Sequence, residues 1–185
     1  MIDDALLAAD NKMQKTVQVL KREMETIRSG RATSALVDQI MVEAYGTSTP
    51  LSQLASISVP EARLLLIQPW DRSIVGNVQK AIQKSDLGLN PMSDGEVLRL
   101  VIPPPTEERR KELVKVVHKR VEDAKIAVRN VRRDALEELR KLEKDKKVSR
   151  DENVRATDKL QKLTDRFIAE VSKVGADKES EIMEV

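Results

Sequence analysis

Residues 103–108 read Pro-Pro-Pro-Thr-Glu-Glu, and this short stretch separates two kinds of sequence. All seven prolines of the chain fall between residues 50 and 105, and five of its six glycines fall between residues 30 and 95. Helix interiors exclude these residue types, whereas turns recruit them. Thr106 is a good helix N-cap, and the two glutamates after it suit the first turn of a helix. We therefore predict a turn-rich segment that ends here and a long helix that begins here.

Both flanks of the turn-rich segment carry the apolar spacing of amphipathic helices. Apolar residues recur every three or four positions over Leu6–Ile27 and again over Leu113–Leu142, where the predicted helix covers about 40 residues. A capping-box pattern at Ser149 and Glu152 predicts the start of a third helix. Three long helices with one apolar stripe each favour a long antiparallel three-helix bundle. The bundle would comprise residues 1–29 and 106–185.

The segment between the flanks, residues 31–104, predicts a small β/α/β domain. Asp71-Arg72-Ser73 predicts a capped helix that continues to about Lys84. Three short aliphatic runs are typical of strands: Ile40–Val42, Leu64–Ile67 and Val97–Ile102. The sequence thus predicts an α+β fold in two domains, the smaller one inserted after the first bundle helix.

Only two chain segments join the predicted domains, Gly30-Arg31 and Pro103-Pro104-Pro105. Glycine permits a sharp turn, and three consecutive prolines form a stiff extended segment that lacks backbone donors. Because few hydrogen bonds can form across such a connection, we predict a hinge at residues 30–31 and 103–105. A rigid packed interface between the domains is the alternative.

The formal net charge of +2 conceals one strongly basic segment, since residues 109–133 hold 10 basic and 3 acidic residues. Within it, Ala127–Ala135 reads Ala-Val-Arg-Asn-Val-Arg-Arg-Asp-Ala. Helical spacing sets the valines and the last alanine on one side. The basic side chains would lie roughly opposite: Lys125, Arg129, Arg132, Arg133 and Arg140. The planar guanidinium fork suits RNA phosphates, so this face is a candidate RNA surface, with an ordinary solvated face as the alternative.

The composition disfavours enzyme activity, RNA binding by base stacking and membrane contact. The chain has one histidine, His118, no cysteine, and no phosphate-cradling or nucleophile-elbow motif, so we expect no enzyme activity, cofactor or metal. Phe, Tyr and Trp occur once each, which disfavours RNA binding by base stacking, and Trp70 is expected to be partly buried. Apolar runs are short and the N-terminus is acidic, so we expect a cytoplasmic protein with no membrane contact.

A set of motifs follows in order along nearly the whole chain. They are Ile27–Ala32 (Ile-Arg-Ser-Gly-Arg-Ala), Tyr45–Leu51 (Tyr-Gly-Thr-Ser-Thr-Pro-Leu), Gln53–Ser56, Asp71–Ser73, Ser85–Pro91, Thr106–Arg110 and Ala127–Ala135. With these motifs the chain resembles the bacterial ribosome recycling factors. The resemblance implies an L-shaped two-domain protein that binds the large (50S) ribosomal subunit and its ribosomal RNA after termination. It also implies elongation factor G with GTP as a partner in splitting the post-termination complex, and we expect a monomer.

The resemblance also assigns site residues. In that family the arginines matching Arg129 and Arg132 lie at the ribosomal RNA surface of the bundle, and those matching Arg28 and Arg31 lie near the hinge. Lys125 and Arg133 join them from the charge pattern alone.

The implied mechanism needs no chemistry from the chain, because the bundle docks on RNA and the small domain swings when the GTPase acts. Pro105 departs from the family, which commonly has leucine there, and a third proline should stiffen the hinge. Three alternatives remain open. The chain could be a coiled-coil module that dimerises without RNA affinity, an enzyme with an unrecognised carboxylate site, or a general RNA-binding bundle that needs no elongation factor.

Overall fold

The computed structural model describes residues 1–184, which form two compact units. The helical unit comprises Met1–Arg28 and Glu107–Glu184, and the sheet unit comprises Ser29–Thr106. Val185, which the sequence analysis assigned to the bundle, lies outside the described residues.

Within residues 1–184, the regular elements of the helical unit come first and last, and those of the sheet unit lie between them. The α-helices are α1 (Ile2–Thr26), α2 (Val75–Lys84), α3 (Glu107–Lys144) and α4 (Arg150–Met183). The strands are β1 (Met41–Ala44), β2 (Thr47–Pro50), β3 (Ala55–Glu61), β4 (Leu64–Pro69), β5 (Met92–Ser93) and β6 (Leu98–Val101). No helix among these described residues is both long enough and apolar enough to cross a membrane.

The helical unit is the predicted three-helix bundle. Its core lies where the apolar stripes of α1, α3 and α4 meet, and its side chains include Met13, Leu20, Val117, Leu139 and Leu160. The ion pairs Asp10–Arg166 and Lys21–Glu170 show that α1 and α4 run in the same direction. The short turn after Lys144 returns the chain, so α3 runs antiparallel to α4.

The two predicted helix boundaries have different outcomes. At the start of α4 the capping box is confirmed, because Ser149 Oγ accepts from the Glu152 N–H at 3.1 Å and Glu152 Oε2 accepts from the Ser149 N–H at 2.7 Å. The bond from the Ser149 N–H is the largest cause that holds the pKa of the Glu152 carboxyl below its ordinary value. At its C-terminus α1 ends at Thr26, three residues before the end of the predicted bundle segment 1–29, because the Thr26 hydroxyl and the Ile27 N–H already bind the exposed carbonyls of that last turn.

Close packing of α3 and α4 depends on Gly175. This residue is buried on α4, and a Cβ built on it would overlap Cγ2 of Val121 on α3. A glycine at this position therefore lets the two helices approach each other closely.

Gly175→Ala should lower the free energy of unfolding by about 1–2 kcal/mol, because overpacking outweighs the gain in helix propensity. Gly76→Ala in α2 is the matched control, since a Cβ there meets nothing within 4 Å. The control should stabilise the protein by about 0.5–1 kcal/mol. Chemical denaturation measures both values, and a stabilising effect at both positions would contradict the packing argument.

The sheet unit contains an antiparallel sheet of order β3-β4-β6-β5, together with the β1-β2 hairpin. Side chains from β4 and β6 bury one face of this sheet in a core that also receives α2. Asp71 caps a short 3₁₀ turn at Arg72–Ile74 that leads into α2, as the sequence predicted. The sequence missed three strands, β2, β3 and β5. Of these, β5 has two residues, and β3 lies at the sheet edge, where its Pro60 is tolerated.

The expectation that Trp70 is partly buried is wrong, because its side chain is 69% exposed. The cause is strand alternation along β4, where Leu65, Ile67 and Pro69 point into the core. Trp70 follows the opposite parity and therefore projects outward.

Near Trp70 a hydrogen bond joins the β1-β2 turn to the start of the α2 segment. The hydroxyl of Tyr45 donates to the carboxylate of Asp71, which also accepts from the Ser73 N–H at 2.9 Å. The bond from Tyr45 is the largest cause that lowers the pKa of Asp71, and the same bond raises the pKa of Tyr45.

Tyr45→Phe should raise the pKa of Asp71 toward its ordinary value of 3.8, and the Ser73 bond should keep it from returning fully. Because the folded pKa of Asp71 is depressed, its stabilising contribution is complete above pH 3.8 and is lost as pH falls through the folded value. Tyr45→Phe should therefore reduce the loss of stability on acidification. Carboxyl-carbon NMR titration of both proteins measures the shift, and an unchanged Asp71 pKa would contradict this assignment.

Candidate nucleic-acid interface

Arg129 is an exposed arginine of the basic segment that has no partner among the described residues. It lies on the exposed side of α3, and within residues 1–184 it has neither a hydrogen-bond nor an ion-pair partner. Some other cations of the bundle are paired across helices, as Arg120 is with Glu23 at 3.5 Å. The fold therefore leaves the Arg129 guanidinium free to bind an external anion.

Arg132 lies elsewhere than the sequence predicted. Arg132 follows Val128 by four residues and precedes Ala135 by three, so all three residues lie on the same side of α3. Because Val128 and Ala135 are buried, the Arg132 side chain is half-buried along α4 rather than opposite the core. Its Nη1 donates to Oε1 of Gln161 at 2.8 Å, and Gln161 Nε2 donates to Oδ1 of Asp165 at 2.9 Å. Arg132 Nε is buried without an acceptor among the described residues.

The two residues added from the charge pattern have local partners. Arg133 is exposed, and its Nη2 donates to Oδ1 of Asn130 at 3.2 Å. The Lys125 side chain is 22% exposed and lies 3.5 Å from the Glu122 carboxylate. Both contacts lie within one turn of α3, and contacts of this kind contribute about 0.5 kcal/mol or less. Either cation can therefore give up its local partner to bind an anion.

Arg28 and Arg31 belong to different units. Arg28 follows α1 at the edge of the helical unit, Arg31 lies near the start of the sheet unit, and both side chains are exposed. Neither has a hydrogen-bond or ion-pair partner in the part of the chain that the structure describes. Both therefore offer an available cation, each on its own unit.

Two of the predicted hinge residues touch each other inside the sheet unit. Gly30 has a φ of +81°, and a Cβ built on it would lie 2.6 Å from Cδ of Pro105. Pro103 and Pro104 are exposed, and Pro105 is half-buried. The sequence indicated only that Pro105 stiffens its own segment, whereas the structure shows that its ring also fills the space beside Gly30.

The remaining polar chemistry is dispersed. His118 is exposed, and its Nε2 lies 3.1 Å from Oε2 of Glu179. Among residues 1–184 no group of three or more histidine, cysteine or acidic side chains lies close enough together to hold a metal ion.

The comparisons with known proteins agree with this architecture. The sequence model of the family described as "Ribosome recycling factor" matches residues 20–183. The ribosome-recycling factor of Symbiobacterium thermophilum is 54% identical over 185 residues, which cover all of both chains. The ribosome-recycling factor of Bacillus pumilus is 55% identical over 185 residues, again with complete coverage of both chains.

Solved structures give the same result. A solution structure of the ribosome recycling factor aligns with a TM-score of 0.72 and 46% identity, covering 100% of this chain and 98% of the other. A second match has a TM-score of 0.63, 42% identity and 98% coverage of both chains. It is T. thermophilus ribosome recycling factor in an assembly with E. coli elongation factor G on the E. coli post-termination complex. The profile match over most of the chain and the identity of its full-length relatives establish that this chain belongs to the ribosome recycling factor family.

Proposed function

We propose that this protein binds the large (50S) ribosomal subunit after termination and, with elongation factor G and GTP, splits the post-termination complex. The mRNA and tRNA then leave, and the protein acts as a monomer in the cytoplasm. The observation that carries the proposal is the unpaired, exposed Arg129 on α3, in a chain whose relatives are ribosome recycling factors. A relative bound with elongation factor G on a post-termination complex supports the choice of partner.

In the first step the helical unit docks on ribosomal RNA. Arg129 and Arg132 supply guanidinium forks that bind phosphate oxygens or base edges, while Lys125 and Arg133 add positive charge beside them. Arg28 and Arg31 provide further cations near the junction of the two units. Attraction to the phosphate backbone makes this step strongly dependent on salt.

In the second step the sheet unit swings about Gly30-Arg31 and Pro103–Pro105, driven by the GTPase. The feature that supports a hinge is the lack of regular secondary structure in these connections. Prolines 103–105 have no N–H to donate, and regular secondary structure is absent from residues 27–31 and 102–106. The chain itself performs no covalent chemistry in this mechanism.

Polysome breakdown tests the proposal directly. Polysomes would be incubated with purified elongation factor G and GTP, with and without this protein, and the monosome and subunit fractions measured by sedimentation. We expect breakdown only when all three components are present. Breakdown that needs no elongation factor G, or none in the complete mixture, would contradict the proposal.

The same preparation separates the alternatives. A coiled-coil module would sediment as a dimer and bind no ribosomes, and a general RNA-binding bundle would bind any RNA with equal affinity. An enzyme with a carboxylate site would retain its turnover when the arginines are removed. A monomer that prefers 50S subunits over unrelated RNA is the result we expect.

A further inference from the structure

We propose that Gln161 and Asp165 on α4 are positioning residues that hold Arg132 ready for ribosomal RNA. The inference rests on the proposed function and adds two residues to the interface that no charge pattern reveals. Both side chains are exposed on α4, next to the arginine that they would order.

The contacts form a directed chain of two hydrogen bonds. A side-chain amide has one donating and one accepting end. Because Asp165 accepts from the amide nitrogen of Gln161 at 2.9 Å, the amide oxygen is turned toward Nη1 of Arg132, from which it accepts at 2.8 Å. The carboxylate, which accepts only, thus fixes the orientation of the amide, and the amide fixes one arm of the guanidinium.

The remaining donors of Arg132 determine what this arrangement can do. Its Nε is buried without an acceptor among the described residues, and one Nη1 hydrogen is bound to Gln161. The second Nη1 hydrogen and the two on Nη2 remain for an external oxygen, because the side chain is half-buried rather than enclosed. A long side chain that is ordered before binding loses less conformational entropy when RNA arrives.

A double-mutant cycle on 50S affinity tests the inference. Gln161→Leu should weaken binding about threefold to tenfold in the wild-type chain, which is the loss expected from one disordered side chain. In the Arg132→Ala background the same substitution should have no effect. Gln14→Leu, at an exposed glutamine of α1 without a hydrogen-bond partner among the described residues, is the matched control and should leave affinity unchanged.

NMR relaxation of the guanidinium Nε groups adds a readout independent of binding. Gln161→Leu should increase the mobility of Arg132 in the free protein and leave Arg129 unchanged. Equal losses from Gln161→Leu in both backgrounds, or tighter binding by Gln161→Leu, would overturn the positioning role. If Arg129→Ala and Arg132→Ala both bind normally, the RNA interface itself is wrong, which is a different failure.

Discussion

Replacing Arg129 with alanine should weaken binding to purified 50S subunits by about tenfold to a hundredfold, the value of one charge-assisted hydrogen bond. The slope of log affinity against log salt concentration should fall by about one, because one phosphate contact is lost. Since Arg129 is exposed and unpaired within residues 1–184, the free energy of unfolding should change by less than about 0.5 kcal/mol. Filter binding at several salt concentrations and thermal denaturation measure the two effects.

Arg22→Ala is the matched control for this prediction. Arg22 is an exposed arginine of α1, also without a partner among the described residues, so removing it deletes the same charge from another helix. Its 50S affinity should stay close to that of the wild type. If Arg22→Ala weakens binding and Arg129→Ala does not, the RNA surface lies on a different side of the bundle.

Arg132→Ala is a less specific probe than Arg129→Ala. It removes the hydrogen bond to Gln161 as well as a cation, so we expect a stability loss of about 1 kcal/mol alongside the loss of affinity. Comparing the two variants separates the contribution of Arg132 to RNA binding from its contribution to the packing of α3 against α4.

Gly30→Ala should destabilise the sheet unit by about 2–4 kcal/mol, for two separate reasons. An alanine at a φ of +81° is strained, and its methyl group would lie 2.6 Å from Cδ of Pro105. Hydrogen exchange of amides in β4 and β6 reports on this unit specifically, and chemical denaturation gives the free energy. We expect faster exchange in these strands than in the wild type.

Two further variants separate the two costs. Gly46→Ala has a φ of +77° and nothing within 4 Å of the added Cβ, so it carries the conformational cost alone, about 1 kcal/mol. In the Gly30→Ala chain, Pro105→Leu should recover the steric part, because a leucine side chain can turn away. Equal destabilisation by Gly30→Ala and Gly46→Ala would show that Pro105 imposes no constraint on residue 30.

The spacing of apolar residues was enough to predict the helices of the bundle but not all the strands of the sheet unit. A stripe such as Leu113–Leu142 repeats for many turns, so the local pattern alone specifies a helix and its buried side. Strands β2, β3 and β5 contain serine, threonine or proline, which interrupt the apolar pattern, and each forms by pairing with a neighbouring strand: β2 with β1, β3 with β4 and β5 with β6. Trp70 shows the same limit, since its exposure follows from the register of β4 rather than from its own apolar character.

Sequence reasoning identified the candidate arginines but not their surroundings. Helical spacing from Val128 is enough to place Arg132 beside the core. Its hydrogen-bond partner Gln161, however, lies on α4, and predicting that contact requires the register between α3 and α4. The turn between Lys144 and Ser149 gives that register, because a chain that reverses near residues 145–149 brings position 132 opposite about position 162. The contact between Gly30 and Pro105 had no such signal, since it depends on how two distant segments meet.

The outward projection of Trp70 makes it an intrinsic optical reporter of the sheet unit. It is the only tryptophan in the chain and is 69% exposed, so its emission in the free protein should resemble that of an indole in water. A partner that covers the Trp70 side chain would shift its fluorescence emission to shorter wavelength. Binding events confined to the helical unit would leave the emission unchanged. The rate at which a second factor binds the sheet unit can therefore be measured from Trp70 fluorescence without attaching a dye.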